Sequence, residues 1–147
     1  MFAKKGINML WKEKYRIGVE LIDSQHEELF RRVSDFMSIL RSQGKWEEKV
    51  AKVNETMAFM SEYVVTHFRD EEELQEKVGY PDMESHRKIH AEMVDYVVQV
   101  SKQYQEEGYK EELIQQFAGK LLAWLINHVA ASDQQIADYV KSQEVSA

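Results

Sequence analysis

The stretch of residues 50–78 reads VAKVNETMAFMSEYVVTHFRDEEELQEKV. Its apolar residues recur at alternating steps of three and four, which is the spacing of one face of an α-helix packed in a bundle. The positions on this inward face are Val50, Val53, Met57, Met60, Val64, His67, Glu71, Leu74 and Val78. The stretch therefore predicts one long helix of a helical bundle.

Three further segments of the chain show the same periodicity. Their inward positions are Ile22, His26, Leu29, Val33, Phe36 and Leu40; Met83, His86, His90, Met93, Val97, Val100 and Tyr104; and Ile114, Phe117, Leu121, Trp124 and His128. Gly44, Gly79 and Gly108 separate the segments, each following a helical pattern as a left-handed cap would. Pro81 follows Gly79, where a helix cannot continue. Four helices with short loops predict an all-α fold, an antiparallel up-down-up-down four-helix bundle.

The chain length fits a single domain, which we expect to cover residues 1–147. The predicted segments are an N-terminal arm over 1–21, bundle helices over 22–43, 46–78, 82–107 and 110–130, and a short C-terminal helix over 132–141. The arm carries Trp11, Tyr15 and Ile17 without a clear period, and it should pack along the bundle.

Two capping signals predict where helices begin. Ser24 with Glu27 three residues later forms a capping box near the start of the first helix, and Asp23 is an equally good cap. Ser132 with Gln135 forms a second capping box, which predicts a helix break at about residues 129–132.

The composition excludes several classes of chemistry. The chain has no cysteine, so any metal must be held by nitrogen and oxygen ligands. The formal charge is −7, from 19 Lys and Arg against 26 Asp and Glu, without a basic stripe, so we expect no nucleic-acid partner. The longest strictly apolar run covers only residues 121–126 and no export signal is evident. We therefore expect no membrane partner and a cytoplasmic location.

All five histidines fall on the inward faces, at positions 26, 67, 86, 90 and 128. Inward positions are about two in seven of a heptad, so chance placement of all five has a probability of roughly 0.2%. Glu71 lies one turn after His67 on the same face, and a carboxylate at a core position needs a partner. His86 and His90 have the i, i+4 spacing that lets two imidazoles chelate one metal. The pattern predicts a metal site in the core of the bundle.

Asp133 is a conditional member of this site. It follows His128 by five residues, so on an unbroken helix it would point about 140° away, at 100° per residue. Asp133 joins the site only if the helix breaks between the two residues, and the cap signal at Ser132 predicts that break.

Taken in order, these residues form a pattern that resembles the bacterial hemerythrins, a family of oxygen-binding non-haem di-iron proteins. The motifs that carry the resemblance are Asp23-Ser24-Gln25-His26, His67-Phe68-Arg69-Asp70-Glu71, His86-x3-His90 and His128-x4-Asp133. Gly79-Tyr80-Pro81 and Trp124-Leu125 also match the family pattern, and the resemblance covers nearly the whole chain.

The resemblance implies a ligand set and a cofactor. His86, His90 and His128 would bind one iron and His26 and His67 the other. Glu71 and Asp133 would bridge both ions (Fe²⁺ or Fe³⁺), with an oxo or hydroxo group between them. This set leaves one coordination position open on the two-histidine iron, where molecular oxygen would bind. The family's apolar oxygen pocket corresponds here to Phe68, Trp124, Leu125 and Val129.

We therefore expect a protein that binds oxygen reversibly, for carriage, storage or sensing, and that is not an enzyme. One alternative is a di-iron enzyme acting on peroxide or nitric oxide, or on the repair of iron centres. Another is a site that holds a different metal, such as zinc. A sensor or a carrier would also need a signalling or oxygen-using partner protein. We interpret the charged runs at residues 70–73 and 106–112 as solvated faces, with Glu71 as the exception.

Overall fold

The structure is a computed structural model that describes residues 11–146, and this part of the chain contains helices joined by turns and loops, without a strand. The helices are α1 (Glu20–Arg41), α2 (Trp46–Val78), α3 (Met83–Glu106), α4 (Glu111–Asn127) and α5 (Asp133–Ser146), with a π-helical turn over His128–Ser132 between α4 and α5. A short 3-10 turn, Glu13–Tyr15, precedes α1. The predicted all-α bundle is confirmed.

Four helices close into a ring, in which α1 contacts α2, α2 contacts α3, α3 contacts α4 and α4 contacts α1. The loops over residues 42–45, 79–82 and 107–110 are too short to carry the chain back along the bundle, so successive helices run in opposite directions. Gly79 ends α2 in the left-handed conformation, with φ at 69° and ψ at 39°, as the spacing predicts. Within residues 11–146 we find no helix with the length and low polarity needed to cross a membrane.

The inward faces form one apolar core along the bundle axis. Its fully enclosed side chains include Phe30, Phe36, Val53, Ile114 and Phe117. Each such side chain stabilises the fold by about 1.5–3 kcal/mol relative to an exposed position. This packing fixes the rotation of every helix, and therefore the direction in which the histidines on the same faces point.

The first helix begins earlier than the capping signal predicts. α1 starts at Glu20, and Val19 precedes it without a side-chain cap. Ser24 lies inside the helix, where its hydroxyl donates to Glu20 Oε1 over 3.4 Å, so the predicted capping box with Glu27 is wrong.

Asp23 is not an N-cap either, since its backbone N–H donates to the Val19 carbonyl inside the first turn of α1. Its buried carboxylate instead accepts hydrogen bonds from the backbone N–H groups of Ile17 (2.7 Å) and Gly18 (3.1 Å). Asp23 thereby connects the segment before α1 to the helix. Its carboxylate binds backbone N–H groups that precede the helix, whereas an N-cap residue binds those of the first turn.

The predicted arm packs on the bundle where the structure describes it. The Tyr15 ring stacks on Phe30, with ring centroids 5.3 Å apart, and Trp11 meets Phe30 edge-on at 5.8 Å. Ile17 is buried against the start of α1. Residues 1–10 of the arm lie outside the described residues.

The predicted helix break at residues 129–132 is wrong, because the backbone stays helical through this region. The backbone N–H of Asp133 bonds to the carbonyl of His128, five residues back, which is the hydrogen bond of a π-helix. The helix widens for one turn, and α5 continues to Ser146, beyond the predicted end at about residue 141.

Candidate metal centre

Seven side chains selected from the sequence meet at one end of the bundle. They are His26 of α1, His67 and Glu71 of α2, His86 and His90 of α3, His128 of the π-helical turn and Asp133 at the start of α5. All seven are buried, with at most 3% of any residue exposed. α1 and α3 begin at this end of the bundle, and α2 and α4 end there. The site residues on the four helices therefore lie at the same height along the bundle axis.

Glu71 lies at the centre of the cluster. Its Oε2 atom is 3.2 Å from His26 Nε2 and 3.4 Å from His67 Nε2. Its Oε1 atom is 3.0 Å from His90 Nε2 and 3.2 Å from His128 Nε2. The two oxygens of one carboxylate therefore face two different pairs of imidazoles.

Asp133 spans the same two groups of imidazoles. Its Oδ2 atom is 2.9 Å from His26 Nε2 and 3.1 Å from His128 Nε2. Its Oδ1 atom lies 3.9 Å from His86 Nδ1. Asp133 reaches the cluster because the π-helical turn rotates it toward the face of His128, a result that the 100° rule for α-helices excluded.

These separations fit a metal site. With metal–ligand bonds of about 2.1 Å, two ligands at right angles on one ion lie about 3 Å apart. The nitrogen–oxygen distances around Glu71 run from 3.0 to 3.4 Å. Two groups of buried ligand atoms are close enough to hold a cation, one formed by His26, His67, Glu71 and Asp133 and the other by Glu71, His86 and His90.

The hydrogen bond on the outer side of His67 gives independent support for a cation. Gln25 Oε1 is an acceptor 2.8 Å from His67 Nδ1, so Nδ1 carries the proton and donates it. Burial lowers the pKa of His67, which keeps the ring neutral at pH 7. Its Nε2 atom therefore presents a lone pair to the carboxylate of Glu71 and has no hydrogen-bond partner. A cation between the nitrogen and the oxygen removes this repulsion.

The pKa values of the two carboxylates in the cluster are shifted in opposite directions. Burial raises the pKa of Glu71, but hydrogen bonds from His128 and His26 outweigh burial and hold the pKa well below its usual range. Burial and the charge of Glu71 raise the pKa of Asp133 well above its usual range. Without a cation, two carboxylates this close do not both ionise readily, whereas a bound cation favours the charged form of both.

The pKa values of two histidines in the cluster are also shifted in opposite directions. Burial lowers the pKa of His26, but the carboxylates of Asp133 and Glu71 outweigh burial and raise it from 6.5 to about 9. Burial lowers the pKa of His128 from 6.5 to about 4. These opposite shifts mean that the cluster takes up and releases protons over a wide pH range unless the imidazoles are held by a metal.

Two residues of the predicted oxygen pocket contact the imidazoles directly. Phe68 stacks face to face on His90, with ring centroids 4.0 Å apart and planes 3° from parallel. Trp124 stacks on His128 at 4.5 Å and meets Phe68 edge-on at 5.6 Å. Leu125, three residues before His128, and Val129, directly after it, are buried in the core. The role of all four as an oxygen pocket stays a prediction.

Sequence reasoning missed the polar side chains that contact the outer nitrogens of the histidines. Gln25 bonds to His67, Gln75 lies 2.9 Å from His86 Nδ1, and Glu72 lies 2.8 Å from His90 Nδ1. Gln75 follows Glu71 by one turn and is fully buried, while the predicted core positions Leu74 and Val78 are only half-buried. The i, i+4 series His67, Glu71, Gln75 was the signal available in the sequence.

A helical bundle whose helices supply buried imidazoles around two shared carboxylates defines a class of non-haem metal-binding proteins. The chain belongs to the family described as the hemerythrin HHE cation binding domain, which matches residues 17–140.

Relatives of the chain carry names from the same family. The chain is 30% identical over 134 residues to a bacteriohemerythrin of Stenotrophomonas maltophilia, covering 91% of this chain and 82% of that protein. It is 27% identical to a myohemerythrin of Theromyzon tessulatum, covering 84% of this chain and 86% of that protein. It is 24% identical to a bacteriohemerythrin of Clostridium acetobutylicum, covering 88% of this chain and 98% of that protein.

Proposed function

We propose that this protein binds molecular oxygen reversibly at a non-haem di-iron centre, for carriage, storage or sensing. The observation that carries the proposal is the central carboxylate of Glu71, whose two oxygens face separate pairs of imidazoles. A single ion would not need ligands divided in this way. Membership in the hemerythrin family and the names of the relatives support the same function.

The proposed ligands follow this division. His26 and His67 would hold one iron, His86, His90 and His128 would hold the other, and Glu71 and Asp133 would be ligands shared by the two. When bound, the two irons supply an open coordination position and one electron each, which is the chemistry that oxygen binding requires. The two carboxylates balance part of the positive charge of the irons, and the imidazoles are held in place by the packing of four helices.

The residues around the cluster keep water away from it. Phe68 and Trp124 cover two of the imidazoles with aromatic faces, and Leu125 and Val129 are apolar and buried. An apolar enclosure admits a small neutral molecule such as oxygen, while it disfavours the entry of water and anions.

The ligand set favours binding over catalysis. It contains five imidazoles, which bind metals as neutral ligands, and two carboxylates. Bundle sites built from Glu and Glu-x-x-His motifs are instead rich in carboxylates. We therefore propose that the protein is not an enzyme, with chemistry on peroxide, nitric oxide or iron centres as the alternative. A cytoplasmic location and a signalling or oxygen-using partner protein stay predictions from the sequence.

Repeated oxygenation tests this function. The iron-loaded protein, reduced without oxygen, should change its visible absorption when oxygen is admitted and recover the starting spectrum when oxygen is removed. We expect several cycles without net consumption of oxygen, because reversible binding releases the oxygen molecule unchanged. Steady consumption of oxygen, or turnover of peroxide or nitric oxide by the same preparation, would favour the enzyme instead.

Truncation of Leu125 tests the apolar enclosure. Leu125→Ala should destabilise the protein by about 2–5 kcal/mol, as expected for a buried leucine. It should also admit water and speed autoxidation, the loss of oxygen-binding capacity with time, measured by absorption at constant temperature. Leu40→Ala, at the opposite end of α1, is the matched control, since it opens a cavity in the core far from the cluster. Equal autoxidation rates in the two variants would show that Leu125 is ordinary core.

A further inference from the structure

The outer nitrogens of three imidazoles contact three different side chains. Gln25 and Gln75 provide neutral amides to His67 and His86, whereas Glu72 provides a carboxylate to His90, with 2.8 Å between Glu72 Oε2 and His90 Nδ1. Of these three outer partners, only Glu72 of His90 is a side chain that can carry a charge. His90 therefore has the strongest outer hydrogen bond of the three imidazoles, because a hydrogen bond to a carboxylate is stronger than one to a neutral amide.

Glu72 is itself held in place. Its second oxygen, Oε1, lies 3.5 Å from Arg87 Nε. Arg87 also contacts Glu84 Oε1 at 2.9 Å, one turn earlier on α3, and it lies 3.7 Å from Glu76 of α2. One oxygen of the Glu72 carboxylate therefore contacts the His90 imidazole, and the other contacts the Arg87 guanidinium. The contacts lie at the groove between α2 and α3.

Two independent contacts fix the plane of the His90 ring. Phe68 stacks on its face at 4.0 Å, and Glu72 engages its outer edge. With Nδ1 donating to the carboxylate, Nε2 presents its lone pair to the cluster, where it lies 3.0 Å from Glu71 Oε1. An imidazole whose outer N–H donates to a carboxylate is both better oriented and more basic toward a metal.

We infer that Glu72, held by Arg87, is a positioning residue that orients His90 and makes it a stronger metal ligand than an amide partner would. The inference rests on the proposed di-iron function, because it takes His90 as a ligand. It corrects the interpretation of residues 70–73 as a solvated face, since the Glu72 side chain is only 26% exposed and points to the cluster.

Metal affinity tests the positioning role without any oxygen chemistry. The protein is freed of metal and titrated with Co²⁺, whose visible absorption reports binding to nitrogen and oxygen ligands. Glu72→Ala should weaken Co²⁺ binding by about 10–100-fold, the usual effect of removing an outer partner of a ligating histidine. Glu72→Gln should bind Co²⁺ more tightly than Glu72→Ala but less tightly than the wild-type protein, because its amide oxygen still accepts from His90 Nδ1 but carries no charge. Glu73→Ala is the matched control, with a side chain that is 70% exposed on the same helix.

The reduction potential of the iron-loaded protein tests the electronic part. Glu72→Gln keeps the hydrogen bond and removes the charge, so the more oxidised state of the irons loses stabilisation and the potential should rise relative to wild type and Glu73→Ala. Unchanged Co²⁺ affinity in Glu72→Ala, or an unchanged potential in Glu72→Gln, would overturn the inference. If the wild-type protein binds Co²⁺ and iron but takes up no oxygen, the proposed function fails while the affinity test of Glu72 still stands.

Discussion

Removal of the metal should lower the free energy of unfolding by at least about 4 kcal/mol, the stabilisation given by a ligand at about 1,000 times its Kd. The reason is that five imidazoles and two carboxylates come together in a buried cluster only in the folded chain, so the metal binds the folded state and not the unfolded state. Urea unfolding of the iron-loaded protein and of the chelator-treated protein at pH 7 measures the difference. Equal midpoints for the two forms would contradict a metal site in the core.

The metal-free protein should also lose stability as the pH falls from about 6.5 to about 4. In this window His128 takes up a proton in the unfolded chain, with a pKa near 6.5, but not in the folded chain, where burial lowers its pKa to about 4. The unfolded state then binds more protons, so acid favours it, by roughly 3 kcal/mol over the window for His128. Burial lowers the pKa of His67 and His86 as well, which acts in the same direction. Asp133 acts in the opposite direction, because its raised pKa lets the folded chain bind a proton first, but it is one carboxylate against three imidazoles. The iron-loaded protein should resist acid over the same range, because ligated imidazoles do not protonate.

The second large effect is expected for Asp133→Ala. This change removes a carboxylate that lies within 3.1 Å of imidazoles from both groups, His26 and His128. Loss of an outer partner of a metal ligand costs about 10–100-fold in affinity, so loss of a shared ligand should cost more than about 100-fold. Iron per chain after exposure to a chelator measures the effect.

Asp138→Ala is the control for this change, because Asp138 is an exposed carboxylate one turn further along α5. It should retain iron as the wild-type protein does. If Asp133→Ala and Asp138→Ala retained iron equally, Asp133 would not be a ligand, and the π-helical turn would have no part in the site.

The bundle could be predicted from the sequence because the burial of apolar residues follows a simple period. Long helices with an inward face at steps of three and four leave few alternatives, and the glycine at position 79 adopts the left-handed conformation that ends α2. The histidines could be placed on the inward faces by the same period, and all five are buried in the structure.

The end of the fourth helix could not be predicted, because its geometry depends on backbone hydrogen bonds that the sequence pattern does not reveal, among them the bond from the Asp133 N–H to the His128 carbonyl. Ser132 and Gln135 resemble a capping box, but the chain keeps its helical dihedral angles and widens by one π-helical turn instead. The prediction that Asp133 reaches the cluster relied on a helix break that does not exist. A local sequence signal does not distinguish a break from a π-helical turn, since both rotate the following residues relative to His128.

The outer partners of the histidines escaped prediction for a different reason. Glu72 belongs to an acidic run that is typical of a solvated helix face, and Gln25 and Gln75 are polar residues that a hydrophobic pattern does not select. Only the rotation of the packed helices brings these side chains to the imidazoles. Their contacts depend on tertiary structure, which periodicity alone does not provide.

The ratio of oxygen to iron tests the central claim most directly. Purified protein is loaded with iron without oxygen, its iron content per chain is determined, and oxygen uptake is then titrated. We expect two irons per chain and one oxygen molecule bound reversibly for every two irons. A single metal per chain, two zinc ions in a preparation isolated with its native metal, or no oxygen uptake by the reduced di-iron form would contradict it.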